Sequence, residues 1–321
     1  MSDDRPALRG LHHVTAICGD PQPNVDFWVG LLGLRLVKRT VNFDDPGTWH
    51  LYYGDNVGTP GTLITFFPWA SLPPLVRARG RAGAGQIGTT MFAIPTASWD
   101  FWSDRIAGST APFDVPEPRF GERRLVVRDP DGIAAELVAT DALPRSQWWP
   151  ESPVPAEHAI AGIRGVAIVV RDAHATRALL EQIGFRAGPA DSTLQRYELG
   201  TNVLDVDVRP DATDGRMGIG AVHHVAWRTD DARAQQRWRD FLMRAGVGVT
   251  DIRDRQYFQS IYFQEPGGVI FEIATDGPGF TRDEPVPTLG SELRLPPWLE
   301  ERRPAISAKL PDIHPPRAWR L

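Results

Sequence analysis

The sequence predicts an α+β protein made of four copies of one β-α-β-β-β unit, paired into two cupped sheets with the helices outside. Three observations carry this. The strand "LHHVTAIC" at residues 11–18 returns as "VHHVAWRT" at 222–229. The closing segment "DPDGIAAELVATD" at 129–141 matches "EPGGVIFEIATDG" at 265–277. Each predicted helix ends at a glycine, namely Gly33, Gly108, Gly184 and Gly246. Self-similarity of this kind marks an internal repeat and is sought before any single motif.

In the first copy, "LHHVTAIC" is a short apolar strand and "PNVDFWVGLLG" a helix. Asn24 is placed to cap that helix and Gly33 to end it. "LRLVKRT", "TWHLYYGD" and "GTLITFF" follow, each with the length and the β-branched or aromatic content of a strand. The second copy reads "IGTTMFAI", "SWDFWSDRIAG", "RRLVVRDP" and "GIAAELVAT"; the third reads "IRGVAIVV", "ATRALLEQIG", "STLQRYELG" and "TNVLDVDV". The fourth has "VHHVAWRT", "ARAQQRWRDFLMRAG", "QSIYFQEP" and "GVIFEIAT". Proline- and serine-rich "LPRSQWWPESPVPAEHAI" separates the second and third copies as a linker. The expected organisation is a first domain at 8–145, a second at 160–280, and a Pro- and Arg-rich tail at 281–321. The tail either wraps the domains or contacts a neighbouring subunit, so a homo-oligomer stays open.

Composition narrows the function classes. The chain has 321 residues, 42% of them hydrophobic and 23% charged, which is ordinary globular usage. Its formal net charge is −5 and no basic block is present, which argues against nucleic acid or an anionic membrane as partner. No apolar run of about 18 residues suggests a membrane span. The opening "MSDDRPALRG" is acidic and polar, unlike a secretory signal. The single cysteine, Cys18, forms no internal disulfide and fits a reducing, cytoplasmic setting.

Superimposing the repeats collects candidate ligands. The first-strand histidines align as His13 and His224, and the closing strands align at Gly61, Gly132, Gly200 and Gly268. Four residues beyond those glycines stand Thr65, Glu136, Leu204 and Glu272. The first and fourth copies therefore supply His13, Thr65, His224 and Glu272. The second and third supply Thr89, Glu136, Gly165 and Leu204, which hold no metal. Two histidines and a carboxylate, with threonine in the fourth place, form the 2-His-1-carboxylate set that leaves coordination positions open. A lone histidine is more often a packed or capping residue, but here two HHV strands and one Glu coincide at equivalent places. Glu272 lies within apolar "VIFEIAT", where a carboxylate is costly unless paired or coordinated. Glu136, without companion ligands, is expected to be salt-bridged or hydrogen-bonded. Neighbouring strand residues point to opposite faces, so only one histidine of each pair enters the cup directly, and periodicity leaves open which.

The repeat architecture resembles the vicinal-oxygen-chelate superfamily, also called the glyoxalase/bleomycin-resistance fold, over residues 8–280. "LHHVTAICGD", "GLRLVKRTVNFDDPGTWHLYYGDNVGTPGTLITFFPW", "VHHVAWR", "DRQYFQSIYFQEPGGVIFEIATD" and "LGSELRLPPWLEERRPAI" are similar to the ring-cleaving dioxygenases that open hydroquinones, over nearly the whole chain. That resemblance implies Fe(II), with Mn(II) or Zn(II) as substitutes on isolation, held by His13, His224 and Glu272. It implies that His12, His223, Arg255 and Tyr262 lie beside a small aromatic substrate, and that O2 is the co-substrate. On their own chemistry, Arg255 supplies a permanent charge for a phenolate oxygen and His223 a proton carrier near neutral pH. Tyr262 brings a hydroxyl toward the metal-bound groups. Read as surface charge, strand aromatic or packed histidine, the same residues would have no such role.

Three other readings compete. A glyoxalase-like isomerase or thiol transferase would want a fourth ligand where Thr65 stands. An extradiol catechol dioxygenase of the common two-domain kind keeps its ligands in its second half, whereas here one is His13. A metal-free binding protein would not need the triad.

Overall fold

The computed structural model describes residues 6–69, 78–142 and 146–316; the start of the predicted linker and the end of the predicted tail lie outside these residues. The first module comprises β1 (Leu11–Cys18), α1 (Pro21–Val25), β2 (Arg35–Asn42), β3 (Asp45–Gly54) and β4 (Leu63–Pro68). In the second are β5 (Gln86–Ile94), α2 (Trp99–Ala107), β6 (Phe113–Asp114), β7 (Arg124–Arg128) and β8 (Ala134–Ala139). The third contains β9 (Gly162–Val170), α3 (His174–Gln182), β10 (Arg186–Ala190), β11 (Leu194–Leu199) and β12 (Asn202–Val208). The fourth contains β13 (Ala221–Thr229), α4 (Ala232–Arg244), β14 (Arg253–Asp254), β15 (Gln259–Gln264) and β16 (Ile270–Thr275). The fold is thus α+β and dominated by sheet.

Within every module the first strand pairs in parallel with the last, and the other two continue outward antiparallel. The modules then join through their first strands. β1 runs antiparallel to β13, giving the order β2-β3-β4-β1-β13-β16-β15-β14, while β5 and β9 do the same for modules two and three. Among the described residues the two half-sheets share one strand-to-strand pair, Val222 and Ile87. The turn before each closing strand needs a left-handed residue. Gly61, Gly132, Gly200 and Gly268 supply it with φ of 97°, 92°, 62° and 105°.

The helices cover the outer faces. Trp28, fully buried, bridges the half-sheets by touching Phe66 of one and Phe92 of the other at 5.3 and 5.7 Å between ring centroids. The first helix differs from expectation at its start. Asp20 caps it by accepting from the Gln22 N–H at 2.9 Å, because Pro21 with its preset φ begins the helix earlier. Asn24 lies inside, accepting from the Tyr53 hydroxyl at 2.8 Å, and the second half widens to a π-helix at Asp26–Leu31.

The tail returns over module one. The Arg294 N–H donates to the Arg39 carbonyl at 2.9 Å, and Leu295, Leu299 and Ile306 cluster on Val41. Fully buried Lys38 is held by Asp283 and Glu284 at 2.7 and 2.5 Å. A buried ammonium needs such partners to remain charged. No helix among the described residues is long and apolar enough to cross a membrane.

Candidate metal centre

The seam between β1 and β13 places His13 and His224 side by side. Glu272 reaches them from β16, where it pairs with Ala226. His224 Nε2 is 2.9 Å and His13 Nε2 3.3 Å from Glu272 Oε2, and the two nitrogens are 3.2 Å apart. All three residues are buried. Three cis donors at about 2.1 Å from one ion would stand about 3.0 Å apart, so the spacing fits a facial triad. Oε2 is a buried carboxylate oxygen with no hydrogen-bond donor, the kind of orphan a divalent cation satisfies. Burial would raise the Glu272 carboxyl, yet His13 and His224 hold it well below the usual range. The His224 imidazole is pushed down by burial, against the pull of Glu272, so it favours the neutral form that ligates. On the other side of the carboxylate, Ser260 Oγ donates to Oε1 at 2.5 Å.

The paired histidines have a structural cause that strand periodicity hides. Leu11 pairs with Trp227 and His13 with Ala226, so His12 is an extra residue bulged out of β1. Thr15 pairs with His224 and Ala16 with Val222, so His223 is bulged out of β13. A bulge re-aims a side chain, which brings both rings of each dipeptide to one place. His12 Nδ1 lies 2.9 Å from His13 Nδ1, and His223 Nδ1 2.7 Å from His224 Nδ1. Ligation through Nε2 requires the proton of His13 and His224 on Nδ1. With a metal held there, each would donate to its outer neighbour, which would orient the ligand ring and fix its tautomer. The outer histidine would then carry its own proton on Nε2. The two outer residues differ in surroundings. His223 lines the cavity, whereas His12 packs against Phe258, itself a wall of that cavity. Burial, with His224 alongside, lowers the His223 imidazole to about 3, so it is neutral near pH 7.

The cavity above the triad is about 270 Å³. Its rim includes Arg255 and Tyr262: Arg255 donates to the Tyr262 hydroxyl at 3.1 Å and to Asp44 at 3.0 Å. Burial opposes the Arg255 charge, but Tyr262 and Asp44 keep it firmly protonated. Burial, reinforced by Glu272, raises the Tyr262 phenol, so the hydroxyl is a neutral donor. Phe43, Phe67 and Phe258 give the walls their apolar character. Phe66, Trp227 and Phe271 are in the core behind the sheet; alternation turns Phe67 rather than Phe66 inward.

Sequence reasoning missed His50, Ser260 and Asp44. Thr65, in the weak-ligand place, shares a hydrogen bond with Thr15 at 2.8 Å and another with His50 Nε2 at 2.9 Å, while His50 Nδ1 faces the Tyr52 hydroxyl at 2.9 Å. The alternation of "HLY" in a strand places His50 and Tyr52 on one face, which is the signal that was available. Asp44, at a hairpin tip in module one, carries no local sign that it meets Arg255 of module four.

The other half-sheet repeats the frame without the ligands. Its bulges fall at Gly88 and Arg164. Asp205, not Leu204, occupies the place of Glu272, pairing with Ala167 as Glu272 pairs with Ala226, because the turn after Gly200 is one residue longer. Arg119 Nη1 reaches Glu136 at 3.3 Å and Asp205 at 3.2 Å, so a guanidinium supplies the positive charge that a metal would supply at the triad. The salt bridge expected for Glu136 is present.

Paired β-α-β-β-β modules around a buried His-His-Glu triad define the class of this protein. The chain belongs to the glyoxalase/bleomycin resistance protein/dioxygenase superfamily, whose family profile matches residues 10–137 and 149–273. It is 43% identical over 94% of its length, and 95% of the relative's, to a Bacillus subtilis (strain 168) protein provisionally named ring-cleaving dioxygenase MhqO. It is 34% identical, over 91% of this chain and 93% of the other, to the chlorohydroquinone/hydroquinone 1,2-dioxygenase of Sphingobium indicum. A crystal structure from Bacillus subtilis, provisionally described as a dioxygenase, superimposes with a TM-score of 0.90 at 42% identity, covering 97% of this chain and 99% of that one. Glyoxalase I from Zea mays shares the fold at a TM-score of 0.61 and 14% identity, covering 83% of this chain and 92% of that one.

Proposed function

We propose that this protein is an Fe(II)-dependent ring-cleaving dioxygenase acting on hydroquinone-type para-diols. The observation that carries the reading is the facial His13, His224 and Glu272 triad at the floor of an aromatic-walled cavity, with Arg255 and Tyr262 at one side. When bound there, Fe(II) supplies the single-electron chemistry that lets an aromatic ring react with O2.

The residues divide the remaining work. Phe43, Phe67 and Phe258 hold a flat ring and exclude water, which strengthens each charge inside. Arg255, tied to Asp44, keeps a permanent positive charge toward a phenolate oxygen, and Tyr262 supplies a hydroxyl donor beside it. His223, neutral near pH 7 rather than the proton carrier its residue type suggests, presents an Nε2–H at the cavity wall as a hydrogen-bond donor to a substrate oxygen. None of these groups needs adjacent hydroxyls on the ring, which favours a para-diol over a catechol.

The test is oxygen uptake after anaerobic loading with Fe(II), using hydroquinone, methylhydroquinone, chlorohydroquinone and catechol, with the ring-opened product identified. Cleavage of catechol alone would move the protein to the catechol class. Inertness to all four, with activity on a thiol adduct of an α-keto aldehyde, would move it to the isomerases.

A further inference from the structure

Phe258 stands between two cavities. It lines the 270 Å³ space above the triad and also a second space of about 300 Å³ beside the start of α4, whose walls include Asp254, Gln259, Thr275 and Arg282. The residue is only 3% exposed, and its ring lies 4.9 Å from His12, 5.2 Å from His13 and 6.5 Å from Tyr52 between centroids.

The backbone that carries the ring is fixed. The Arg255 N–H donates to the Phe258 carbonyl at 2.9 Å, closing a turn in which Gln256 adopts φ of 66°, a left-handed conformation that a non-glycine residue holds only when its surroundings impose it. The tail imposes it here: Arg282 donates to the Gln256 carbonyl at 2.8 Å and the Tyr257 hydroxyl to Asp283 at 2.9 Å. Phe258, on an anchored turn, is thus the residue that the two cavities share. Moving its ring breaks no hydrogen bond.

We propose that the second cavity is a subsite for a bulky, uncharged ring substituent, and that Phe258 decides whether that substituent enters; this rests on the para-diol reading above. The first cavity alone lies just under the roughly 300–1,000 Å³ of sites that take drug-sized molecules. Opened to the second, it about doubles and accepts a second ring. Asp230, Asp231 and Asp254 outnumber Arg282 among the charged groups around the subsite, which disfavours a carboxylate there.

The experiment compares wild type with Phe258→Ala and Phe258→Trp, both loaded with Fe(II). Two ratios are measured for phenylhydroquinone against hydroquinone: kcat/KM by oxygen uptake, and binding affinity by anaerobic calorimetry. Both ratios should rise at least tenfold in Phe258→Ala and fall below wild type in Phe258→Trp. Phe258→Leu replaces the alanine variant if that one fails to fold, with a smaller rise. Ratios that stay within twofold in every variant of an active enzyme overturn the subsite alone. A binding ratio that shifts while wild type turns over neither ring overturns the para-diol reaction and leaves the subsite standing. Binding of neither ring to wild type overturns both.

Discussion

Ser260→Ala tests how the triad is held together. Ser260 is fully buried in β15, and its Oγ donates to Glu272 Oε1 at 2.5 Å while Oε2 faces the two imidazoles. The hydroxyl thus fixes the rotation of the carboxylate. A hydrogen bond to a charged group contributes about 1.5–3 kcal/mol, and loss of such a supporting partner typically weakens metal affinity about 10–100-fold. In Ser260→Ala, Oε1 is left buried without that donor and Oε2 is free to swing off the line of His13 and His224. The expected result is a drop in Fe(II) affinity of about 10–100-fold, measured by competition with a chromogenic chelator. Ser260→Thr, which restores the hydroxyl, should recover most of it. Affinity in Ser260→Ala within twofold of wild type would refute the claim that the carboxylate is held by this bond.

Three further outcomes are expected. His13→Ala, His224→Ala and Glu272→Ala should each lose bound metal and turnover by elemental analysis and oxygen uptake, while Glu136→Gln, in the half-sheet where Arg119 supplies the charge, should keep its metal content; a His13 variant with full metal would undo the pairing of the first and fourth modules as the site. His223→Phe should retain iron and lose about 10²–10³-fold in kcat, the usual worth of one donor aimed at a developing oxyanion, whereas loss of iron would make His223 the ligand in place of His224. Burial raises the Asp129 carboxyl to about 7 despite the Asp131 and Ile133 N–H groups that donate to it. Its folded value lies above its unfolded one, so its stabilising contribution is complete below the unfolded value, near pH 4, and fades as pH rises through about 7. Asp129→Asn keeps the acceptor without the charge, so it should gain stability relative to wild type between pH 5 and pH 8 in urea midpoints; parallel curves would refute the assignment.

How much of the site could be read from the chain depends on how local each signal is. The fourfold repeat is legible because strand and helix periods, and a glycine before each closing strand, act over a few residues. The equivalence of His13 with His224, and the choice of Glu272 over Glu136, followed from that repeat alone, since like modules place like residues at like points. The tertiary structure decided what depends on pairing between distant strands. The bulges at His12 and His223 exist only because β1 lies against β13, so an alternating pattern could not say how two neighbouring rings share one side. A one-residue difference in a turn put Asp205 where counting placed Leu204. Asp44 meets Arg255, and Ser260 meets Glu272, through side chains whose partners lie on other strands or in another module. Phe67 rather than Phe66 faces the cavity because a strand's register against its neighbours, and not its composition, selects which of two adjacent aromatics turns inward.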